Sequence, residues 1–166
     1  IEAHAQEALN ELVRLCRQPS ISAQDGGMAE SAQLVATMLQ DHAIAAKLLS
    51  GPDSRYPFVY GKIAGQSPNT LLFYNHYDVQ PPEPLEEWTS PPFEPRIEEG
   101  KLWARGAADN KGDLVARLAA IEALREVRGG LPVAVKFLVE GEEEIGSPSI
   151  APFVAQHQEL LKADAC

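Results

Sequence analysis

Hydrophobic positions along the chain follow two periods, one typical of helices and one typical of strands. Three stretches place apolar residues three or four positions apart, and each predicts an amphipathic helix. The first helix is predicted from about residue 5 to residue 17, and Pro19 follows it as a stop. The three apolar faces are formed by Leu9, Leu12, Val13 and Cys16, then by Met28, Ala32, Val35 and Leu39, and then by Leu114, Leu118, Ile121 and Leu124.

Short apolar runs predict strands between and after these helices. They cover about residues 45–49, 58–63, 71–76 and 133–139. The last run is apolar at nearly every position, as expected of a strand that is covered on both faces. Strands separated by helices indicate an α/β fold, with a mixed, mostly parallel sheet and helices on both faces. We also predict a hairpin over residues 96–103 and a last helix that Ser147 caps and Pro148 begins.

A proline-rich segment follows the third predicted strand. Six prolines lie between residues 81 and 95, and they exclude both a helix and a central strand there. We expect this segment to be an ordered surface loop that Trp88 and Phe93 anchor.

Composition and charge narrow the possible partners. The chain has 166 residues, of which 45% are hydrophobic and 23% are charged, and this is ordinary for one soluble globular domain. The net charge of −10 argues against nucleic acid as a partner, because phosphate binding needs clustered lysines and arginines. No apolar run approaches the ~20 residues of a membrane-spanning helix. Cys16 and Cys166 do not form a disulfide framework, so we expect a reducing, cytoplasmic location.

Polar and acidic side chains cluster where the predicted strands end. The third strand ends in His76, and Asp78 follows two positions later on the same face. A carboxylate beside a histidine fixes its tautomer and makes it a better metal ligand or base. Two later stretches bring carboxylates to similar places, namely Asp109 within residues 106–112 and the glutamates of residues 140–147. Ligands of α/β sheets bind at such strand ends, so we expect these groups to converge.

Each of these signals also has a structural interpretation when it is taken alone. A histidine at a strand end is commonly a satisfied structural residue, Asp109 could cap the next helix, and consecutive glutamates commonly form a solvated face. Together, however, several carboxylates around one histidine repel each other by about 1–4 kcal/mol per pair at 4 Å. A divalent cation offsets such repulsion, and nitrogen and oxygen ligands without thiolate suit zinc, manganese or cobalt.

The chemistry of such a centre leaves several roles open at this point. Two metals that share a carboxylate could hold a hydroxide between them, and a spare glutamate nearby could act as general base. The spacing does not assign Glu142, Glu143 and Glu144, since neighbours along a strand point to opposite faces. A glycosidase that uses two of the glutamates is an alternative, but it leaves His76 and Asp78 unexplained.

Three blocks of the sequence resemble the signature of the M20 family of metallopeptidases. They are His76-Tyr-Asp78, residues 106–112 (Gly-Ala-Ala-Asp-Asn-Lys-Gly) and residues 142–147 (Glu-Glu-Glu-Ile-Gly-Ser). The intervals between the blocks agree with the family pattern, and the resemblance spans most of the chain. The family includes carnosinases, nonspecific dipeptidases and deacylases of N-acyl amino acids. The residues within these blocks are more similar to those of the dipeptidase and carnosinase branch of the family.

The resemblance implies a di-zinc exopeptidase-like catalytic domain and a role for each of five residues. His76 binds one zinc ion, Asp109 bridges both zinc ions, and Glu144 binds the second. Glu143 is the general base, which activates the bridging water and then passes its proton to the leaving amine. Asp78 orients His76, and the peptide bond that follows Asp109 is cis.

The resemblance also implies that more of the protein is needed. The family uses two further metal ligands and a lid or dimerisation domain, and none of these follows within the 166 residues. We therefore expect residues 1–166 to be the N-terminal portion of an incomplete catalytic domain that is inactive alone. The parent is expected to be a homodimeric zinc-dependent dipeptidase. Alternatives are a deacylase of N-acyl amino acids and a non-catalytic binding module that retains the fold. Glu140, Glu142 and Asp113 receive no role and are expected to be surface or structural residues.

Overall fold

A computed structural model describes residues 4–166 and contains five α-helices and six strands among them. Three short 3₁₀ turns, Ser22–Gln24, Leu85–Glu87 and Glu143–Ile145, lie between the larger elements. The helices are α1 (Ala5–Arg17), α2 (Met28–Asp41), α3 (Lys111–Arg128), α4 (Ile150–Gln156) and α5 (Gln158–Leu161). The strands are β1 (Ala45–Leu49), β2 (Phe58–Ile63), β3 (Thr70–His76), β4 (Arg96–Glu98), β5 (Lys101–Trp103) and β6 (Ala134–Glu140).

The main sheet has the strand order β1-β2-β6-β3 and is mixed, as predicted. The expectation of a mostly parallel sheet is wrong, because β2 pairs antiparallel with both β1 and β6. Only β3 and β6 are parallel, with His76 opposite Glu140 in the register. The physical reason is the connections: α3 separates β3 from β6 and allows a parallel crossover, whereas no helix separates β1 from β2. The predicted hairpin is confirmed as β4 and β5.

Helices cover both faces of this sheet, as the sequence predicts. Apolar side chains of α1, α2 and α3 form one cluster with one face of the strands, and they include Leu15, Met28, Val35, Leu39, Leu114, Leu118, Ile121, Val135 and Phe137. A smaller cluster on the opposite face joins the strands to α4 and α5. There the rings of Phe58 and Phe153 stack with their centroids 3.8 Å apart. Cys16 lies on the buried face of α1 and is fully buried, in agreement with its predicted place in the core.

The start of the last helical region differs from the prediction. Helix α4 begins at Ile150 with Ser149 at its N-cap, so Ser147 does not cap it. The hydroxyl of Ser147 instead donates a hydrogen bond to Oε1 of Glu140 at 2.8 Å. Ser147 has a φ of 49°, in the left-handed region, and this conformation turns the chain before the helix begins. The region is then split into two short helices, α4 and α5.

The proline-rich segment is an ordered loop with one 3₁₀ turn, and Trp88 anchors it as expected. The indole Nε1 of Trp88 donates a hydrogen bond to the carbonyl oxygen of Pro82 at 2.7 Å. The guanidinium of Arg105 lies 5.2 Å from the centre of the Trp88 ring and donates to the carbonyl oxygen of Pro81. Within residues 4–166, no helix combines the length and the apolar character that a membrane crossing requires.

Candidate metal centre

The candidate centre lies at the edge where the parallel strands β3 and β6 both end. His76 is the last residue of β3, and Glu140, its neighbour in the register, is the last residue of β6. The backbone N–H of Tyr77 donates to the carbonyl oxygen of Glu140 at 2.8 Å, so the strands stay paired up to this edge. The residues that follow the two strands therefore lie close together at this edge of the sheet, as the sequence predicts.

The imidazole of His76 is buried and has acidic groups on both sides. Its Nδ1 lies 3.1 Å from the carbonyl oxygen of Asp78 and 3.3 Å from Oδ1 of the same residue. Its Nε2 lies 3.0 Å from Oδ1 of Asp109 and 3.8 Å from Oε2 of Glu143. Asp78 can hold a proton on Nδ1, and a deprotonated Nε2 would then be able to bind a cation on the side of Asp109.

Charge around His76 changes its proton affinity. Burial by itself lowers the pKa of the imidazole, but the hydrogen bond to Asp78 and the charges of Asp78, Glu143 and Asp109 outweigh burial. The pKa of His76 is therefore raised from 6.5 to about 9 in the metal-free protein. Burial raises the pKa of Glu144 as well, and a hydrogen bond from Gln80 opposes that shift. A cation at this edge would compete with a proton on His76.

Three side chains bring possible metal-ligating atoms together. One nitrogen of His76 and one carboxylate oxygen each of Asp109 and Glu144 all lie within 4.8 Å of one another. These are the three residues that the resemblance implies as ligands, and they come from three separate stretches of the chain. One nitrogen and two oxygen donors match the preferences of zinc, manganese and cobalt.

The loop before α3 carries Asp109. The peptide bond between Asp109 and Asn110 is cis, as the resemblance implies. The Asp109 side chain is 74% exposed, whereas that of His76 is only 4% exposed. Lys111 is fully buried and its Nζ donates to the carbonyl oxygens of Leu15 at 3.1 Å and Gln18 at 2.7 Å. This ion-to-carbonyl contact attaches the start of α3 to the end of α1.

The glutamates lie in a 3₁₀ turn rather than along a strand. The 3₁₀ turn Glu143–Ile145 begins three positions after the last residue of β6, so the alternation of strand side chains does not apply to Glu143 and Glu144. Asp78 holds this turn, because its Oδ1 and Oδ2 accept the backbone N–H groups of Glu143 at 3.3 Å and Glu144 at 2.9 Å. Gln80 donates to the carboxylate of Glu144 at 2.8 Å. Both glutamates can therefore face the same centre.

Two acidic residues that were expected to be surface or structural are buried structural groups. Glu140 is fully buried, and its Oε1 accepts hydrogen bonds from the hydroxyls of Tyr74 and Ser147. Glu142 is 2% exposed, and its Oε1 accepts the backbone N–H of Arg55 at 2.7 Å. Burial raises the pKa of Glu140. One sequence signal for this burial is that Glu140 ends, and Glu142 closely follows, a strand that is apolar at nearly every position.

Comparison with known proteins identifies the family. Residues 72–166, more than half of the chain, match the family described as Peptidase family M20/M25/M40. The chain belongs to this peptidase family. Its matched segment contains all five residues that the resemblance singled out, from His76 to Glu144. The family interpretation made from the three sequence blocks is thus confirmed.

The M20 relatives of this chain are named for different activities. The chain is 35% identical over 138 residues to a succinyl-diaminopimelate desuccinylase of Methylococcus capsulatus, which covers 83% of the chain. It is 40% identical over 90 residues, or 54% of the chain, to the human Beta-Ala-His dipeptidase. The crystal structure of an M20 family metallo-carboxypeptidase, Sso-CP2 from Sulfolobus solfataricus, superposes on 95% of the chain with a TM-score of 0.90 and 42% identity.

The chain spans only part of each of these M20 relatives. It covers 35% of the desuccinylase, 18% of the dipeptidase and 36% of the carboxypeptidase. The three relatives share hydrolysis of an amide or peptide bond but differ in substrate, as their names state. Family membership supports that shared chemistry and does not select among the substrates.

Proposed function

We propose that the protein to which this chain belongs is a metal-dependent dipeptidase. The observation that carries the proposal is the convergence of His76, Asp109 and Glu144, whose candidate ligand atoms lie within 4.8 Å of one another. Beside them, Oε2 of Glu143 lies 3.8 Å from Nε2 of His76. A nitrogen ligand, carboxylate ligands and a further carboxylate within reach are the groups that metal-assisted amide hydrolysis needs.

The residues present fit a divalent cation in their donor chemistry. Three carboxylates lie around one buried imidazole, and against the effect of burial their hydrogen bond and negative charge raise the pKa of that imidazole. A divalent cation supplies the missing positive charge, polarises the substrate carbonyl and makes a water molecule more acidic when it is bound. We propose that His76, Asp109 and Glu144 would hold zinc, with two zinc ions at the complete centre. Manganese or cobalt would also suit these donors.

The proposed catalytic work of the chain itself falls to Glu143 and Asp78. Glu143 is 42% exposed, so its carboxylate can reach a substrate and a water molecule from the open side of the centre. In the proposed reaction it takes a proton from the attacking water and delivers that proton to the leaving amine nitrogen. Asp78 keeps the proton on Nδ1 of His76 and so directs Nε2 toward the centre.

The substrate class has two candidates. Two similarities favour a dipeptide: the residues of the three sequence blocks resemble the dipeptidase branch, and the chain is 40% identical to the human Beta-Ala-His dipeptidase over 90 residues. An N-acyl amino acid is the second candidate, because the similarity to the desuccinylase extends over 83% of the chain. Both substrates present an amide carbonyl next to a carboxylate-bearing amino acid, so the same centre could serve either.

The proposal includes the place of this chain in a larger protein. We propose that residues 1–166 form the N-terminal portion of the catalytic domain, and that further chain supplies the remaining metal ligands and a lid. Coverage of 36% of the Sso-CP2 chain at a TM-score of 0.90 supports this arrangement. The homodimer and the cytoplasmic location stay predictions of the sequence.

The test is a substrate panel on the full-length protein. Zinc-loaded protein is assayed with dipeptides, including a β-alanyl dipeptide, and with N-acetyl and N-succinyl amino acids, before and after chelation. Hydrolysis of dipeptides that chelation abolishes and zinc restores is the expected result. Hydrolysis of the N-acyl compounds alone would favour the deacylase. If neither class of substrate is hydrolysed in a cation-dependent way, the result favours the alternative of a non-catalytic binding module that keeps the fold.

A further inference from the structure

Asp109 is an exposed candidate ligand that needs support from the backbone around it. With its side chain 74% exposed, packing does little to hold its carboxylate 3.0 Å from Nε2 of His76. The side-chain entropy of an unrestrained carboxylate opposes such a fixed position. Apart from its contact with His76, the position of Asp109 therefore depends on the loop that carries it, and the structure shows a contact to that loop at the next residue.

A buried amide of β3 reaches this loop. Asn75 is fully buried, and its Nδ2 donates a hydrogen bond to Oδ1 of Asn110 at 2.5 Å. Asn75 directly precedes His76, as Asp109 directly precedes Asn110. Two adjacent residues of the strand thus contact two adjacent residues of the loop, one pair through the imidazole and the other through the amides.

Arg117 of α3 fixes the orientation of the Asn75 amide. Its Nη1 donates to Oδ1 of Asn75 and also to the carbonyl oxygen of Tyr74 at 2.7 Å. The guanidinium lies 5.0 Å from the centre of the Phe73 ring, which restricts its position further. A guanidinium has donors and no acceptor, so it holds Oδ1 toward itself and leaves Nδ2 directed at Asn110.

We propose that Asn75 and Arg117 are positioning residues, which set the distance between Asp109 and His76 through Asn110. The inference rests on the proposed function in taking His76 and Asp109 as ligands of the same cation. Asn110 suits the part of an intermediary, because its side chain makes no capping hydrogen bond to α3 although it occupies the N-cap. Loss of either amide contact then loosens the loop and lowers cation affinity.

The test measures affinity for Mn²⁺ alone, by calorimetric titration of the metal-free full-length protein without substrate. The variants are Asn75→Leu, Asn110→Ala and the two combined, with Asn10→Ala on the surface of α1 as the matched control. Each single variant is expected to weaken Mn²⁺ binding about tenfold or more, as loss of a partner behind a ligand commonly does. The double variant is expected to be no weaker than the single ones, because both remove the same contact.

Several outcomes would overturn the inference. Affinity within twofold of the wild type in Asn110→Ala would do so, and so would losses that multiply in the double variant. A purely structural role predicts a lower melting temperature with unchanged affinity, so the metal-free melting temperature is measured alongside. If Asn75→Leu does not fold, Asn110→Ala decides, since Asn110 is only half-buried.

The Arg117 side of the proposal has its own comparison. Arg117→Lys keeps a donor for Asn75 and is expected to retain more Mn²⁺ affinity than Arg117→Met. Equal affinities in these two variants would remove Arg117 from the proposal. The Mn²⁺ titration uses no substrate, so its result is independent of the hydrolysis assay. A wild-type protein that binds Mn²⁺ but hydrolyses no amide in the substrate panel contradicts only the proposed function. Dipeptide hydrolysis with unchanged Mn²⁺ affinity in every variant contradicts only the positioning role.

Discussion

Oδ2 of Asp78 accepts the backbone N–H of Glu144 at 2.9 Å, so a residue two positions beyond β3 directly holds the turn that follows β6. The other oxygen of the same carboxylate accepts the N–H of Glu143 and lies 3.3 Å from Nδ1 of His76. One buried carboxylate therefore connects a candidate ligand, the candidate base and a second candidate ligand. Asp78 therefore links the first and the last of the three sequence blocks, which are the two that lie furthest apart along the chain.

Replacing Asp78 by asparagine tests this link. The substitution keeps the shape, but the amide offers one acceptor where the carboxylate offers two, and its NH₂ faces N–H donors. We expect the free energy of unfolding to fall by about 1–3 kcal/mol, since one of the two backbone N–H groups that Asp78 accepts loses its partner. Turnover is expected to fall about 10–100-fold because His76 loses its orienting carboxylate. Urea unfolding and steady-state kinetics measure the two effects, and wild-type values for both would contradict the role given to Asp78.

The stability of the metal-free protein is expected to depend on the protonation of His76. Its pKa is raised from 6.5 to about 9, so the folded state binds the proton more tightly than the unfolded state. This contribution is fully present below pH 6.5 and is lost as the pH rises toward 9. Over the same range Mn²⁺ affinity should rise, because the cation no longer displaces a proton.

The control for this pH dependence is His76→Gln, which cannot titrate. Urea unfolding of chelator-treated wild type and variant at several pH values from 6 to 10 gives the difference profile. A difference that shrinks as the pH rises agrees with a raised pKa. Parallel profiles would show that His76 does not titrate in this range.

Gly141 is expected to resist any side chain. A Cβ at this position would lie 2.3 Å from the hydroxyl oxygen of Tyr77 and 2.4 Å from its ring carbon Cζ. Tyr77 is fully buried, and its hydroxyl donates to the carbonyl oxygen of Pro57 at 2.9 Å, so the ring has little freedom to move. Gly141→Ala should therefore destabilise the fold by about 3 kcal/mol, at the upper end of typical overpacking.

A matched control for Gly141 is Gly26→Ala. A Cβ on Gly26 would meet Ile21 at an ordinary 3.6 Å, so a change within about 0.5 kcal/mol is expected. Thermal unfolding of both variants provides the comparison. Equal melting temperatures for the two would mean that Tyr77 can move aside.

Much of the fold follows from local sequence pattern. The apolar runs at residues 45–49 and 58–63 became β1 and β2 with the same bounds, and helical spacing located α1 and α2. The directions of the strands could not be predicted from local sequence pattern, because β6 lies between β2 and β3 and pairs with residues far away in sequence. That arrangement depends on which surfaces bury each other, and no short stretch of sequence records it.

The candidate site also combines residues that the sequence predicts with residues that only the structure identifies. His76, Asp109 and Glu144 were identified from their sequence blocks, and the structure brings them together. Asn75 and Lys111 were not identified, since a polar residue becomes a buried anchor only through partners elsewhere in the chain. Asn75 meets Asn110 and Arg117, and Lys111 meets the end of α1, at sequence separations of 35 to 96 residues.

The most direct test of the proposed chemistry is Glu143→Gln in the full-length protein. Glutamine keeps the size of the side chain and removes its ability to take a proton. We predict that turnover of the best dipeptide falls at least about 100-fold, the range of general base catalysis. The amount of bound zinc, measured by atomic absorption, should stay equal to that of the wild type. An unchanged rate with normal metal content would contradict the role of Glu143 and with it the proposed mechanism.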